Sequence, residues 1–487
     1  MITLKTLFKT SLIYGIGSAI MRLMTFLLLP FYTNELTNYD DFILVMTTIA
    51  LLRITYSHGM GDSFLKTYSE SKNKVVITST YLIYIFCVII GASSLLLIVN
   101  SIFNAENQSS LLYLIQSKLN FIILIILFDT INYRIVDILR IQNKPIFYMT
   151  GQLSGIIMTF ITTIYLVRNF NNQSFVNFYI YDQVDAALLA VLFGGIINFI
   201  LFSPILFNNI ILSKFSTEHL QKMFALGMRF FPAALFFVFM AQLDRYLLKL
   251  LLDDSSNLIG SYSVGYKLAS VPMLLIGAFN LGWQPFYLSN GNNQKSRVDY
   301  GKIGTILVVS MLSVGWIMIL IMPLIVNLDV PFLNNYKIIG ERFVDGIKII
   351  PLIITAHIFY AMYIINMPSI YLCNKQNWSP ILRMIGAGVN VVLNVILIPK
   401  YNIYGAAFAT AAGYGIMFFV LFYKNKTWMP IKLMWSDILM FSLFIICSIV
   451  TLTFNMYGQY IMLIVTLFYM LLLIYKHGFK NIILLFK

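Results

Sequence analysis

Residues Phe230–Ser289 read FFPAALFFVFMAQLDRYLLKLLLDDSSNLIGSYSVGYKLASVPMLLIGAFNLGWQPFYLS. Two apolar segments, each long enough to cross a bilayer, flank an acidic turn at Asp253 and Asp254. The segments nevertheless carry Asp244, Arg245 and Lys267 inside hydrophobic sequence, with Pro232, Pro272 and Pro285 where a helix would bend. A charge at bilayer mid-depth costs roughly 2.5–3.5 kcal/mol on insertion scales, so such residues face a cavity or a partner and not lipid. The stretch therefore predicts a membrane protein with a wet, partly cationic interior.

The rest of the chain agrees. Of 487 residues, 59% are hydrophobic and 11% charged, and the mean hydropathy is +0.83. A soluble domain carries about 25% charged residues, so a soluble fold is excluded. The net charge of +14 is scattered through short loops without a base-reading motif, which removes nucleic acid as a partner. Three cysteines, Cys87, Cys373 and Cys447, offer neither a CxxC pair nor zinc spacing. No phosphate-binding GxxxxGK[ST] loop, HExxH or nucleophile elbow occurs, so no catalytic residue, metal ligand or cofactor site is assigned.

With about 20 apolar residues needed per span, the sequence divides into about fourteen spans, the first centred near Arg22 and the last near Leu467. Lysine and arginine cluster in alternate loops, at Lys66, Lys72 and Lys74, at Arg134, Arg140 and Lys144, and at Lys424, Lys426 and Lys432. The positive-inside rule then predicts an even number of spans with both termini in the cytoplasm. A weak likeness between Asn34–Arg53 and Leu252–Val271 suggests parallel repeats, an N-lobe over 1–213 and a C-lobe over 214–428, with two added helices in 429–487.

Several blocks resemble one family. VNVVLNVILIPKYNIYGAAFATAAGYG (Val389–Gly415), LDRYLLKLLL (Leu243–Leu252) with IGSYSVGYKLA (Ile259–Ala269), GWQPFY (Gly282–Tyr287) and the opening YGIGSAIMRLMTFLLLPFYTNELTNYDDF (Tyr14–Phe42) are similar to polysaccharide-exporting flippases. Asp41 departs from the pattern, standing where a glycine is common. The family is the Wzx-type O-antigen flippases of the multidrug/oligosaccharidyl-lipid/polysaccharide exporter superfamily. The resemblance implies an all-α fold of two pseudo-symmetric lobes, about six helices each, around a central cavity, plus two C-terminal helices. It also implies an undecaprenyl-pyrophosphate-linked repeat unit as cargo, moved to the outer leaflet of the cytoplasmic membrane by alternating access. Membrane lipids and the polysaccharide polymerase with its chain-length machinery are the further expected partners.

A diphosphate cargo needs fixed positive charge in place of water. Arg22, Arg53, Lys118, Arg245 and Lys267 are the candidates for that lining, against the alternative that Arg53 and Lys267 snorkel to an interface. Asp244 and Asp129 are candidates for charge balance or for coupling to H+ or Na+, with Asp129 expected to pair with Arg134. Asn390 and Asn394, four apart on one helix face, suit either the cavity or helix–helix adhesion. Tyr262, Tyr266 and Trp283 are candidates for stacking on sugars, and His357 reads as a satisfied core residue. Two other functions compete. A cation antiporter of the same superfamily would want an acidic or aromatic cavity, and a membrane polymerase a large external loop.

Overall fold

A computed structural model describes residues 24–102, 111–142, 144–170, 180–326, 328–330, 336–453 and 458–486. The chain is an all-α, multi-pass membrane protein. Among the described residues nine helices are long and apolar enough to cross a membrane, or eleven when the bent pairs Leu111–Ser117 with Leu119–Ile141 and Leu258–Ala269 with Val271–Asn290 each count as a span. The sequence suggested about fourteen. The span centred on Arg22 lies outside the described residues. One helix, Trp378–Trp428, is 51 residues long and would run about 77 Å if straight. It does not run straight: Asn402 adopts φ 49° and ψ −128°, and the rings of Trp378 and Trp428 meet at 5.4 Å. This helix is a hairpin of two crossings. Asparagine is among the few residues that enter the left-handed region at small cost, which is why the reversal falls there.

Helix starts follow local chemistry. The side chains of Asp182, Ser216 and Asn293 accept the backbone N–H of Asp185, His219 and Ser296, capping helices Gln183–Asn209, Thr217–Leu251 and Gln294–Ile325. Asp254, in the turn after Leu251, accepts hydrogen bonds from Ser256, and these hold its carboxyl below the usual carboxylate range.

The chain forms two compact units. The first comprises residues 1–260 and 329–343, the second 261–328 and 344–487. In the first unit, helices Pro145–Arg168 and Gln183–Asn209 lie side by side with backbones in contact: a Cβ on Gly194 would stand 2.7 Å from the Gly155 carbonyl oxygen. A second close approach occurs where helix Tyr39–Ser57 breaks before Met60–Glu70. His58 and Gly59 there are left-handed, and a Cβ on Gly59 would stand 2.3 Å from the Gly227 carbonyl oxygen. Helix Thr217–Leu251 is thereby seated against the N-terminal helices.

The first unit also holds a short strap, Asp329–Phe343, from later in the chain. Its two-residue strands Asp329–Val330 and Tyr336–Lys337 pair antiparallel, Asp329 opposite Lys337. Asn34 Nδ2 donates to the Lys337 carbonyl at 2.9 Å, the Gly340 amide donates to Thr33 Oγ1 at 3.0 Å, and Arg342 donates to the Leu36 carbonyl at 2.9 Å. Tyr336 donates to Glu35, and that carboxylate stands 3.5 Å from the Arg168 Nε.

In the second unit, helix Ile350–Asn366 packs along the Trp378–Trp428 hairpin. The two C-terminal helices, Trp435–Thr453 and Gln459–Phe486, rest on Gln294–Ile325 through a cluster of Val309, Trp316, Phe441, Ile445, Met470 and Leu473. Trp316 Nε1 donates to Ser448 Oγ at 2.8 Å inside that contact.

Candidate functional site

The first unit concentrates charge within its spanning helices. Arg53 sits in the last two turns of helix Tyr39–Ser57. Its Nη1 donates to Tyr133 Oη at 3.1 Å, its guanidinium lies 4.8 Å from that ring, and Asp129 Oδ2 is 4.0 Å away. Both partners are partly open, at 42% and 33% side-chain exposure, so the pair is loose and the guanidinium keeps donors for another ligand. Asp129 is thus partnered by Arg53 and not by Arg134. Residues five apart on a helix point about 140° from each other, which forbids the expected contact. Arg134 instead joins Asp137 at 3.2 Å and Tyr81 Oη at 2.8 Å, while Tyr81 donates to Asp137 at 2.7 Å.

Asp244 and Arg245 lie on helix Thr217–Leu251, both buried, with Arg245 Nη1 donating to the Ala241 carbonyl at 2.8 Å. Their neighbour Tyr246 shares a hydrogen bond with Thr48, which fixes this helix to Tyr39–Ser57. Arg53 and Arg245 therefore belong to one compact unit. Lys118 occupies the 66° bend between Leu111–Ser117 and Leu119–Ile141. It is 5% exposed, with Asp182 Oδ2 at 2.7 Å and Asp185 Oδ1 at 2.8 Å. Two carboxylates surround this ammonium, so it contributes no free positive charge to a cargo path. Arg22 lies outside the described residues.

The second unit handles polarity differently. Tyr262 Oη and Asn390 Nδ2 converge on Thr410 Oγ1 at 3.4 and 3.5 Å, and Thr410 donates to the Ala406 carbonyl at 3.1 Å. Asn394, one turn from Asn390, is equally buried. These contacts join helix Leu258–Ala269 to the two arms of the hairpin, as helix–helix adhesion requires. His357 Nδ1 lies 3.0 Å from the Ala269 carbonyl, and Tyr266 meets its ring edge-on at 6.0 Å. Lys267, next to Tyr266, is half-buried. Trp283 is a core residue: it is 1% exposed, donates to the Ile364 carbonyl at 3.1 Å, and is stacked by Phe279 and Phe286. Its faces are not free for a sugar.

Two features were missed in the sequence. Arg383, half-buried in the hairpin's first arm, lies beside the phenols of Tyr360 and Tyr363. Its position five residues into an apolar run was the available signal. The Arg134–Asp137–Tyr81 network was missed because its third member comes from another helix. Among the described residues no group of three or more His, Cys, Asp or Glu is placed to hold a metal.

Solved structures resemble this arrangement over most of its length. The lipid II flippase MurJ, in an inward closed conformation, matches with a TM-score of 0.62 at 17% identity, covering 95% of this chain and 98% of that one. An inward-facing multidrug resistance MATE family transporter of the MOP superfamily matches at 0.58 and 14% identity, over 88% and 94%. A point mutant of the Vibrio cholerae MATE transporter VcmN matches at 0.57 and 10% identity, over 87% and 96%. The chain shares the fold of these structures. No family profile matches the sequence, and no curated protein matches it.

Proposed function

We propose that the chain is a flippase for lipid-linked oligosaccharides, carrying undecaprenyl-pyrophosphate-linked repeat units of O-antigen or capsule type from the inner to the outer leaflet of the cytoplasmic membrane. The observation that carries this reading is Arg53, a half-open guanidinium within a spanning helix, in the same unit as the buried Arg245. A planar fork of donors suits a diphosphate, and in a low-dielectric slab it replaces the water the anion loses. The likeness to a lipid II flippase over 95% of the chain supports a cargo of the same general kind. In this reading Arg22 and Lys267 also serve the anionic cargo, Asp129 and Asp244 balance the charge or couple it to H+ or Na+, and both termini are cytoplasmic. Transport is by alternating access, without catalysis of a covalent step.

The second reading, a cation antiporter, draws on the MATE likeness. Deleting the gene separates them. Complete single repeat units trapped on the cytoplasmic leaflet, with surface polymer lost, are expected of a flippase. Units that reach the outer leaflet but never lengthen would mean a polymerase, and an unchanged surface glycan with new drug sensitivity would mean an antiporter.

A further inference from the structure

The two ends of the Trp378–Trp428 hairpin return to one membrane face and form a paired cation–aromatic cluster. The two indoles meet edge to face at 5.4 Å. Lys424, on the second arm, places Nζ 4.8 Å from the centre of Trp378, on the first. Reciprocally, Lys375, in the turn before the first arm, places Nζ 5.9 Å from the centre of Trp428, at the end of the second. The turn is set by Asn374, left-handed at φ 55°, and Cys373 Sγ approaches the Trp428 carbonyl at 3.5 Å. Lys426 adds a third ammonium, 5.6 Å from the Tyr423 ring. Among the described residues none of these three lysines has a carboxylate within ion-pair distance, unlike Lys118, Lys222, Lys337, Lys348 and Lys476.

An indole face covers one side of an ammonium and leaves its other N–H groups to donate, so the two lysines present unneutralised charge around a half-buried aromatic pair. Tryptophan at a span end marks the headgroup layer, and lysine there is drawn to anionic lipid. Within three helical turns of the cluster, apolar side chains on the same two arms are exposed: Ile381 and Met384 on the first, Phe419 and Tyr423 on the second. A soluble phosphate has no use for that surface, whereas acyl chains do.

We propose that Lys375, Lys424, Trp378 and Trp428 seat the phosphate of an anionic phospholipid whose chains lie against Ile381, Met384, Phe419 and Tyr423. The chemistry of this site does not depend on the identity of the cargo. The test uses the full chain in nanodiscs of phosphatidylcholine containing a minor fraction of phosphatidylglycerol, with lipid retained after transfer to detergent counted by native mass spectrometry. The wild type is expected to retain phosphatidylglycerol over phosphatidylcholine. Lys375→Gln with Lys424→Gln is expected to weaken that preference about thirtyfold, and Lys375→Arg with Lys424→Arg to keep it. The exposed Lys375→Gln alone, which leaves the hairpin contact of Lys424 intact, is expected to give a smaller loss and serves if the double variant does not fold. Equal retention of the two lipids by wild type, or undiminished preference in the folded Gln variants, overturns the proposal. So does displacement of the lipid by soluble glycerol phosphate at equal concentration, which would mean a free-phosphate site.

Discussion

The two units solve the same problem, polar groups inside a membrane, with different chemistry. The first uses charges: Arg53 with Asp129, Arg134 with Asp137 and Tyr81, Lys118 between Asp182 and Asp185. The second relies mainly on neutral hydrogen bonds, Tyr262 and Asn390 on Thr410, Asn425 Nδ2 on Asn366 Oδ1 at 2.9 Å, Trp316 on Ser448, with Arg383 and the Asp437–Lys476 pair as its charged exceptions. Neutral pairs between helices contribute about 0.6 kcal/mol on average, enough to align helices that lipid would otherwise separate freely. Charges at the same depth cost several times more, so they persist where a fixed arrangement or an anionic ligand needs them. The contrast separates a unit built to hold charge from a unit built mainly to pack.

The largest expected effect belongs to Lys118. Lys118→Ala strands the buried Asp185 beside Asp182, whose side chain is 39% exposed, and with one partner partly solvated the cost is about 3 kcal/mol, the low end for a broken buried pair. The unfolding midpoint in mild detergent should fall by many degrees, while Lys118→Ala with Asp182→Asn and Asp185→Asn should recover much of it. A midpoint unchanged by Lys118→Ala would show that the charges of the first unit are solvated and would remove the contrast.

Next comes Arg245. If it meets the cargo, Arg245→Ala at equal protein level should reduce surface glycan roughly ten- to hundredfold, the worth of a charge-assisted bond to phosphate, with Arg245→Lys intermediate. Arg53→Ala should behave alike. Asn390→Ala in the second unit should leave export within about twofold; an equal loss there would mean that the neutral cluster also serves transport. The smallest effects sharpen the other side. Asn425→Ala and Ser448→Ala should each lower stability by about 0.6–1.7 kcal/mol, seen as small midpoint shifts without loss of export.

What the sequence made legible follows from range. Apolar runs report spans directly, and Pro399, Lys400 and Asn402 interrupt the apolar run where the hairpin turns. The four-residue spacing of Asn390 and Asn394 put them correctly on one face. Partners were not legible where they come from distant helices: nothing local links Lys118 to Asp182 or Arg53 to Asp129. Trp283 shows a different limit. An indole suits a sugar and a core equally well, and only its neighbours Phe279, Phe286 and Ile364 decide. The nearest rule that sequence alone could have applied was helical angle, which already disfavours Asp129 with Arg134.

The strap makes the first unit discontinuous in time as well as in sequence. Thr33, Asn34 and Leu36 emerge early, but their partners Gly340, Lys337 and Arg342 do not exist until residues 261–328 have been made. At 5–20 residues per second, the ribosome needs about 4–17 s to pass from residue 260 to residue 343. During that interval the early helices stand in the membrane with those groups still waiting, while the opening helices of the second unit are being inserted. A nascent chain arrested before residue 329 should therefore be cut by protease near Thr33–Leu36, and one arrested well past residue 343 should be protected there. The last step in building the first unit is the arrival of its own latest-made segment.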